Sequence, residues 1–241
     1  MLIALLILCV YPSSAQVILI DPGHGGRNCG ASFKNTCEKD IVLSIAKKIH
    51  NRLRKHHRTY LTRSIDRSVS LKDRAKQAEK MKVDLFISVH ANASPHSHST
   101  GFETFYLDNH DNVAVKKLER AENRNSSGKQ LMVDKILNDL VIKLTVRRSR
   151  KLAEVIHSHI KRKIERPFSI PDRGVRPALF YVLSLSKRPS VLLEVGFLSN
   201  PRELKVISSA SFQDAYADGV VRGILEYLKN HFKSKKEPLF L

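Results

Sequence analysis

Two histidines in this sequence occupy positions where a metal ion can be bound. His24 lies among glycines in the stretch DPGHGG, directly after the apolar run Val17–Ile20. His90 follows a second apolar run, Val83–Val89. Glycine allows the backbone to turn sharply around a ligand. A histidine at each of two predicted strand ends is therefore available for metal chemistry.

The metal that best suits these side chains is zinc, which takes nitrogen and oxygen ligands from separate elements and keeps one position for water. Glu38, at the start of the first predicted helix, is the candidate third ligand. Two structural interpretations without a metal stay open for Glu38 and His90. Glu38 follows Asn35 by three residues, as in a loose capping box. A lone histidine such as His90 is more commonly a histidine whose hydrogen bonds are satisfied at a strand end than a metal ligand.

Glu194 is a carboxylate inside the apolar segment Val191–Val195, where an unpaired charge is costly to bury. Beside an activated water, it would serve as a general base that takes the proton and returns it to a leaving amine. A structural ion pair with an arginine is the alternative, and spacing alone does not decide between the two.

The elements that position these residues alternate between apolar strands and helices. Predicted strands cover Val17–Ile20, Thr59–Thr62, Val83–Val89, Phe102–Leu107 and Val191–Val195, and predicted helices cover Lys39–Leu53, Leu71–Met81, Leu131–Lys163 and Ser211–Phe232. This order predicts a single-domain α/β fold, a doubly wound, mostly parallel sheet flanked by helices. Ligands bind beyond the carboxyl ends of such strands, where His24 and His90 fall.

A polar segment, Asp108–Leu131, interrupts the alternation of strands and helices. It is either a solvated loop or a movable element with a short helix at Val115–Glu122, and long insertions near a site are often functional. His96 and His98 lie in a serine-rich loop, and we expect them to be solvated.

The ends of the chain and its cysteines indicate export. Residues 1–15 resemble a secretory signal peptide, although no basic residue precedes the apolar core. We expect a catalytic domain over residues 16–232, a basic tail over residues 233–241, and no transmembrane segment in the mature chain. Cys29 and Cys37 can pair in an oxidising compartment, but two free thiols are equally compatible with the sequence.

The chain is strongly basic, with 42 Lys and Arg against 23 Asp and Glu, a formal charge of +19. Such a charge attracts polyanions. For an exported protein we favour the acidic cell envelope and expect no nucleic-acid partner. The absence of tryptophan also argues against an aromatic platform for nucleic acid or sugar.

Three segments in this order, DPGHGG, SVHANA and LLEVGFLSNP, with CEKDIVL after the first, resemble the zinc-dependent N-acetylmuramoyl-L-alanine amidases of the cell-division amidase family. The resemblance extends over roughly Val17–Phe232. Supporting matches are Leu71–Ala75, Gly101–Thr104, Arg173–Val175 and Phe180–Leu183.

The resemblance implies one zinc ion held by His24, Glu38 and His90, with Glu194 as the catalytic base. The implied substrate is peptidoglycan, cleaved between N-acetylmuramic acid and L-alanine in wall remodelling or daughter-cell separation, in the periplasm or cell envelope. Asp21 and Asn92 are candidates for orienting the ligand histidines.

The insertion resembles a helix that, in Gram-negative members of the family, covers the zinc until an activator protein displaces it. By this resemblance Glu122 is a candidate extra ligand that excludes water. Two other functions remain compatible with the sequence: a zinc peptidase acting within the stem peptide, and a basic envelope-binding module without turnover.

Overall fold

A six-stranded sheet forms the centre of the molecule, with strand order β4-β1-β5-β8-β6-β7. The computed structural model describes residues 15–123 and 131–232. The sheet strands are β1 (Val17–Pro22), β4 (Arg58–Leu61), β5 (Leu85–Asn92), β6 (Phe102–Leu107), β7 (Asp172–Ala178) and β8 (Ser190–Phe197). All neighbouring pairs are parallel except β6 and β8, which are antiparallel. A small hairpin, β2 (Ser32–Phe33) and β3 (Thr36–Cys37), precedes the first helix.

Helices pack on both faces of the sheet. They are α1 (Glu38–Leu53), α2 (Leu71–Lys80), α3 (Val113–Glu122), α4 (Leu131–Phe168), α5 (Tyr181–Ser186), α6 (Pro201–Ile207) and α7 (Ala210–Phe232). One buried cluster joins the sheet to α1, α4 and α7, and a second joins it to α2, α3 and α5. The prediction of a doubly wound α/β fold with a mostly parallel sheet is confirmed.

The central strands are apolar on both sides because helices cover both faces of the sheet. Along β1, Ile18 and Ile20 belong to the first cluster and Leu19 to the second. Along β5, Ile87 belongs to the first cluster and Phe86 to the second. Strands of this kind appear in a sequence as continuous apolar runs, which is why these two were predictable.

The sequence did not predict β7, α5, α6 or the β2–β3 hairpin. Strand β7 has the sequence DRGVRPA, which contains three charged residues, a glycine and a proline. A strand of this composition is tolerated at the edge of a sheet, where one side needs no backbone partner. Within the described ranges, no helix is both long and apolar enough to cross a membrane.

Parts of three predicted regions lie outside the described residues. These are residues 1–14 of the predicted signal peptide, residues 124–130 of the insertion, and the predicted basic tail at residues 233–241.

Candidate metal centre

His24, Glu38 and His90 come together at the carboxyl end of the sheet. His24 lies just after β1, His90 lies in β5, and Glu38 is the first residue of α1. His24 Nε2 is 3.0 Å from Glu38 Oε2, and His90 Nδ1 is 3.0 Å from Glu38 Oε1. With Glu122, these residues offer one ligand atom each, and the four atoms lie within 4.8 Å of one another. The group could hold a metal ion.

The structure excludes the capping-box interpretation of Glu38. Helix α1 starts at Glu38 itself, and its N-cap is Cys37, which makes no side-chain capping bond. Glu38 instead accepts hydrogen bonds from the backbone N–H groups of Ala31 (2.7 Å) and Ala91 (2.9 Å). Burial alone would raise the pKa of Glu38, but the two histidines outweigh it, so the pKa lies below its ordinary value.

The two imidazole nitrogens that face Glu38 are buried, and within the described part of the chain neither has a hydrogen bond of acceptable geometry. Their 3.0 Å separations from the carboxylate lack the angles of a hydrogen bond. Buried polar nitrogens are normally satisfied. Two unsatisfied nitrogens beside one carboxylate are the donor set that zinc uses, so the residues fit a metal ion.

Two glycines leave the space that the imidazole and carboxylate groups occupy. A Cβ added at Gly23 would lie 2.4 Å from the His90 ring. A Cβ added at Gly30 would lie 2.4 Å from Glu38 Oε2 and 2.5 Å from the His24 ring. These glycines are therefore required by the packing of the candidate ligands.

Glu194 lies beside His90 because β5 and β8 pair in register at these two residues. Its side chain is 1% exposed, and neither oxygen has a hydrogen bond or ion pair among the described residues. The alternative of a structural ion pair with an arginine is therefore wrong for the described part of the molecule. Burial raises the pKa of Glu194 well above its ordinary value, and the nearby carboxylates add to the shift.

The register of the sheet adds a residue whose role the sequence did not predict. Glu103 on β6 is the direct neighbour of Glu194 across the antiparallel pair. Unlike Glu194, it is neutralised: Arg173 Nε donates to Glu103 Oε1 at 2.6 Å, and Arg176 Nε lies 3.5 Å from Oε2. Two buried carboxylates thus stand side by side, one paired and one unpaired.

Glu122 lies beside the other three candidate ligands, at the end of α3. The sequence left a solvated loop and a short helix open for this segment, and residues 113–122 form the helix. Its Oε2 is 3.4 Å from His24 Nε2 and 3.2 Å from His90 Nδ1. Burial would lower the pKa of His90, but Glu122 and Glu38 outweigh it and raise this pKa well above its usual value.

Two side chains of the same region fasten α3 to the loop before α5. Glu119 accepts hydrogen bonds from the Leu179 backbone N–H and is 2.6 Å from His110 Nε2. Asn123 donates to the Leu179 carbonyl and accepts from the Tyr181 N–H, both at 3.0 Å. We call these contacts of Glu119 and Asn123 the latch of α3.

A cavity of about 590 Å³ opens beside the cluster. His24, His90 and Glu122 line one end of it, and Arg27, Lys72 and Tyr181 contribute to its walls. The site is therefore accessible to a ligand of appreciable size, and part of its lining is basic.

The remaining residues singled out in the sequence are also described. Cys29 and Cys37 form a disulfide with a Cα–Cα distance of 5.1 Å, so the free-thiol alternative is wrong. His96 and His98 are exposed, as predicted. Among the described residues, neither Asp21 nor Asn92 has a side-chain hydrogen bond to His24 or His90. Asp21 pairs with Arg74 and accepts from Thr62 and Ser88.

Comparison with known proteins shows which family the chain belongs to. The family model for N-acetylmuramoyl-L-alanine amidase matches residues 18–226. AmiA of Escherichia coli K12, an N-acetylmuramoyl-L-alanine amidase, is 34% identical over 223 residues, which cover 88% of this chain and 76% of AmiA.

Solved structures agree as well. The crystal structure of an N-acetylmuramoyl-L-alanine amidase from Clostridium difficile 630 has a TM-score of 0.71 at 32% identity and covers 91% of this chain and 100% of its own. The CwlD amidase of Clostridioides difficile, solved in complex with the GerS lipoprotein, has a TM-score of 0.69 at 27% identity over 89% and 99% of the two chains. The chain belongs to the N-acetylmuramoyl-L-alanine amidase family.

Proposed function

We propose that this protein is a zinc-dependent amidase that hydrolyses the bond between N-acetylmuramic acid and L-alanine in peptidoglycan. The observation that carries the proposal is the convergence of His24, Glu38 and His90 beside an unpaired, buried Glu194 in a member of this family. Its biological role would be wall remodelling or the separation of daughter cells.

In this proposal His24, His90 and Glu38 would hold the zinc ion. Bound zinc supplies Lewis acidity to an amide carbonyl and to water. Glu38 has a second task, because its hydrogen bonds from Ala31 and Ala91 fix the carboxylate between the two imidazoles. The carboxylate of Glu38 is thus held by backbone groups independently of any ion.

Glu194 is the proposed general base. It takes a proton from the attacking water at a carboxylate oxygen and passes it to the nitrogen of the leaving L-alanine. A base is most effective when its pKa lies near the working pH. Burial raises the pKa of Glu194 above its ordinary value, which is the direction that this task requires.

The disulfide supports a place outside the cytoplasm. Disulfides persist in oxidising compartments such as the bacterial periplasm and are rare in the cytosol. Together with the predicted signal peptide, the Cys29–Cys37 bond leads us to propose export to the periplasm or cell envelope.

Mass spectrometry of muropeptides, digested with and without a chelator, tests the bond and the metal together. We expect a free lactyl carboxylate on muramic acid and an intact stem peptide, with turnover abolished by the chelator and restored by zinc. Cleavage within the stem peptide would identify a peptidase instead. Binding without any product would favour the non-catalytic module.

Glu122 is the proposed autoinhibitory ligand. Its carboxylate lies within 3.4 Å of both candidate ligand imidazoles, so it would occupy the position that the attacking water needs. The latch of α3 supports this proposal, because Glu119 and Asn123 fix the helix that carries Glu122.

The proposal predicts that Glu122→Ala and deletion of residues 117–128 both raise basal activity. Asn123→Ala should raise it less, because it removes only part of the latch. Lys116→Ala is the matched control and should leave activity unchanged, because Lys116 is a partly exposed residue of α3 that pairs with Asp111 and lies outside the latch. Unchanged or lost activity in a folded, zinc-loaded Glu122→Ala variant would contradict autoinhibition.

A regulated site also needs a partner that releases it. We propose that an activator protein displaces α3, and the complex of the CwlD amidase with the GerS lipoprotein supports protein partners for members of this fold. Activity assays with candidate envelope proteins, run on the parent and on Glu122→Ala, provide the test: activation should be confined to the parent.

A further inference from the structure

Two buried arginines lie behind the loop that carries His24. Arg63 is fully buried and donates from Nε to the Pro22 carbonyl (3.1 Å). Its Nη2 donates to the carbonyls of Gly23 (2.7 Å) and Lys39 (2.9 Å). Arg63 therefore joins the loop after β1 to the first turn of α1, the two segments that carry His24 and Glu38.

Arg74, on α2, is 3% exposed and holds the same loop from another side. It donates to the His24 carbonyl at 2.7 Å and to the Pro22 carbonyl at 2.8 Å. Its guanidinium also pairs with the buried carboxylate of Asp21. Asp21 in turn accepts from the hydroxyls of Thr62 (2.6 Å) and Ser88 (2.9 Å), so Arg74 is itself fixed.

The backbone of His24 needs such support. Its φ is +55°, a left-handed conformation that non-glycine residues rarely adopt and that persists only where the surroundings enforce it. The bond from Arg74 is made to the carbonyl of this same residue. If the loop relaxed towards ordinary backbone angles, the His24 imidazole would turn away from Glu38.

Arg63 is a costly residue for a purely structural position. Among the described residues it makes no ion pair, and its hydrogen bonds go to backbone carbonyls. Burial together with Arg74 lowers its pKa, although Asp21, Asp66 and Asp40 act in the opposite direction. The loop is also shaped around it, since a Cβ added at Gly25 would lie 2.9 Å from Arg63 Nε. Well-packed apolar side chains usually fill a core at lower free-energy cost than a buried charge.

We propose that Arg63 and Arg74 are positioning residues that set the metal affinity of this site. By holding the carbonyls of Gly23, His24 and Lys39, they place the His24 imidazole and the Glu38 carboxylate at metal-binding separation before the ion binds. The inference rests on the metal site of the proposed function, and it is independent of which bond the enzyme cleaves.

The test measures zinc affinity without substrate, by competition between the apoprotein and a fluorescent zinc chelator. Arg63→Met and Arg74→Met should each weaken zinc binding about 10- to 100-fold, the range for loss of groups that orient metal ligands. Lysine keeps the charge but not the forked donor geometry, so Arg63→Lys and Arg74→Lys should recover only part of the loss. Added zinc should restore turnover of the methionine variants.

Arg52→Met is the matched control. Arg52 lies in the last turn of α1, whereas Glu38 is the first residue of that helix, and it pairs with Asp214 at 2.6 Å. This variant should keep the parental zinc affinity. Circular dichroism and thermal unfolding of each apoprotein separate a local loss of affinity from unfolding.

A zinc affinity within twofold of the parent in the folded methionine variants would overturn the proposal. So would a weakening that only follows the loss of apoprotein stability. If Arg63→Met does not fold, Arg74→Lys decides, because it keeps the charge beside Asp21 and perturbs the bond to the His24 carbonyl. A parent that binds zinc but does not cleave the muramoyl amide would refute the proposed function and leave this inference standing.

Discussion

Glu194 and Glu103 are two buried carboxylates on neighbouring strands, and they differ in what surrounds them. Glu103 is paired with Arg173 and Arg176, whereas Glu194 has no hydrogen bond or ion pair within the described ranges. Removing a charge from a paired site leaves its partners unsatisfied, but removing an unpaired buried charge relieves a cost. The same chemical change should therefore have opposite effects on stability at the two residues.

We predict that Glu194→Gln lowers turnover by about 10²- to 10⁴-fold, the usual contribution of a general base, without lowering stability. Glu103→Gln, the matched control, should lower the free energy of unfolding by about 1 to 3 kcal/mol, because it weakens charged hydrogen bonds. Its turnover should fall less. Turnover of sacculi and urea denaturation of both variants provide the measurements; parental turnover in Glu194→Gln would refute the assignment.

Gly23 gives a second prediction at the scale of a residue. Because an added Cβ would overlap the His90 ring, Gly23→Ala should displace the imidazole and weaken zinc binding about tenfold or more. Gly174→Ala is the control: an added Cβ there meets nothing within 4 Å, although its φ of +89° makes the substitution strained. That variant should lose some stability and keep its zinc affinity, as measured by chelator competition.

At the scale of elements, the sequence predicted those that carry the apolar core and the candidate ligands. β1, β5 and β8 were predictable as continuous apolar runs, and α1 and α7 as helical periodicities. Strand β7 was not, because an edge strand needs little apolar surface. The positions of Arg63 and Arg74 within the site were also beyond sequence reasoning, since both act on backbone carbonyls that only tertiary folding brings near them.

The disulfide clamps the element that presents Glu38. It closes a short loop, with eight residues of separation, that ends at the N-cap of α1. Within that loop the Ala31 carbonyl accepts from the Glu38 N–H at 2.8 Å, and the Cys29 carbonyl accepts from the Lys39 N–H at 3.1 Å. The bond therefore restrains both the unfolded chain and the start of the ligand helix.

We predict that reduction lowers the free energy of unfolding by about 2 to 3 kcal/mol, as expected for closing a short loop. Zinc affinity should fall as well, because Glu38 is held by the same loop. Denaturation and chelator competition with and without reductant measure both effects. In a Cys29→Ser/Cys37→Ser variant the reductant should change nothing; a response there would place its effect elsewhere.

At the scale of the whole molecule, the formal charge is +19, and basic stretches recur along the sequence, for example at residues 52–58, 146–151 and 161–163. On α4, Lys143, Arg147 and Arg148 are exposed. A field of this sign raises the local concentration of the enzyme near anionic polymers, and salt screens it. Binding to the wall and chemistry at the metal centre should therefore respond separately to ionic strength.

We predict that the turnover-deficient Glu194→Gln protein binds purified sacculi several-fold less at about 1 M salt than at about 0.1 M, as the screening length falls from about 10 Å to about 3 Å. Replacing Lys143, Arg147 and Arg148 with glutamine should reduce binding at low salt only. Sedimentation of the bound protein measures both. Salt-independent binding would show that contacts other than charge dominate.

The pairing of β5 with β8 has a consequence for how this enzyme can be controlled. His90 and Glu194 are separated by one step of a hydrogen-bonded ladder, about 4.8 Å, which movements of surrounding helices do not change. A partner that moves α3 can uncover the reaction centre but does not change the spacing between His90 and Glu194. Activation should therefore raise the fraction of molecules in which the site is uncovered. The turnover rate of each uncovered molecule should stay the same.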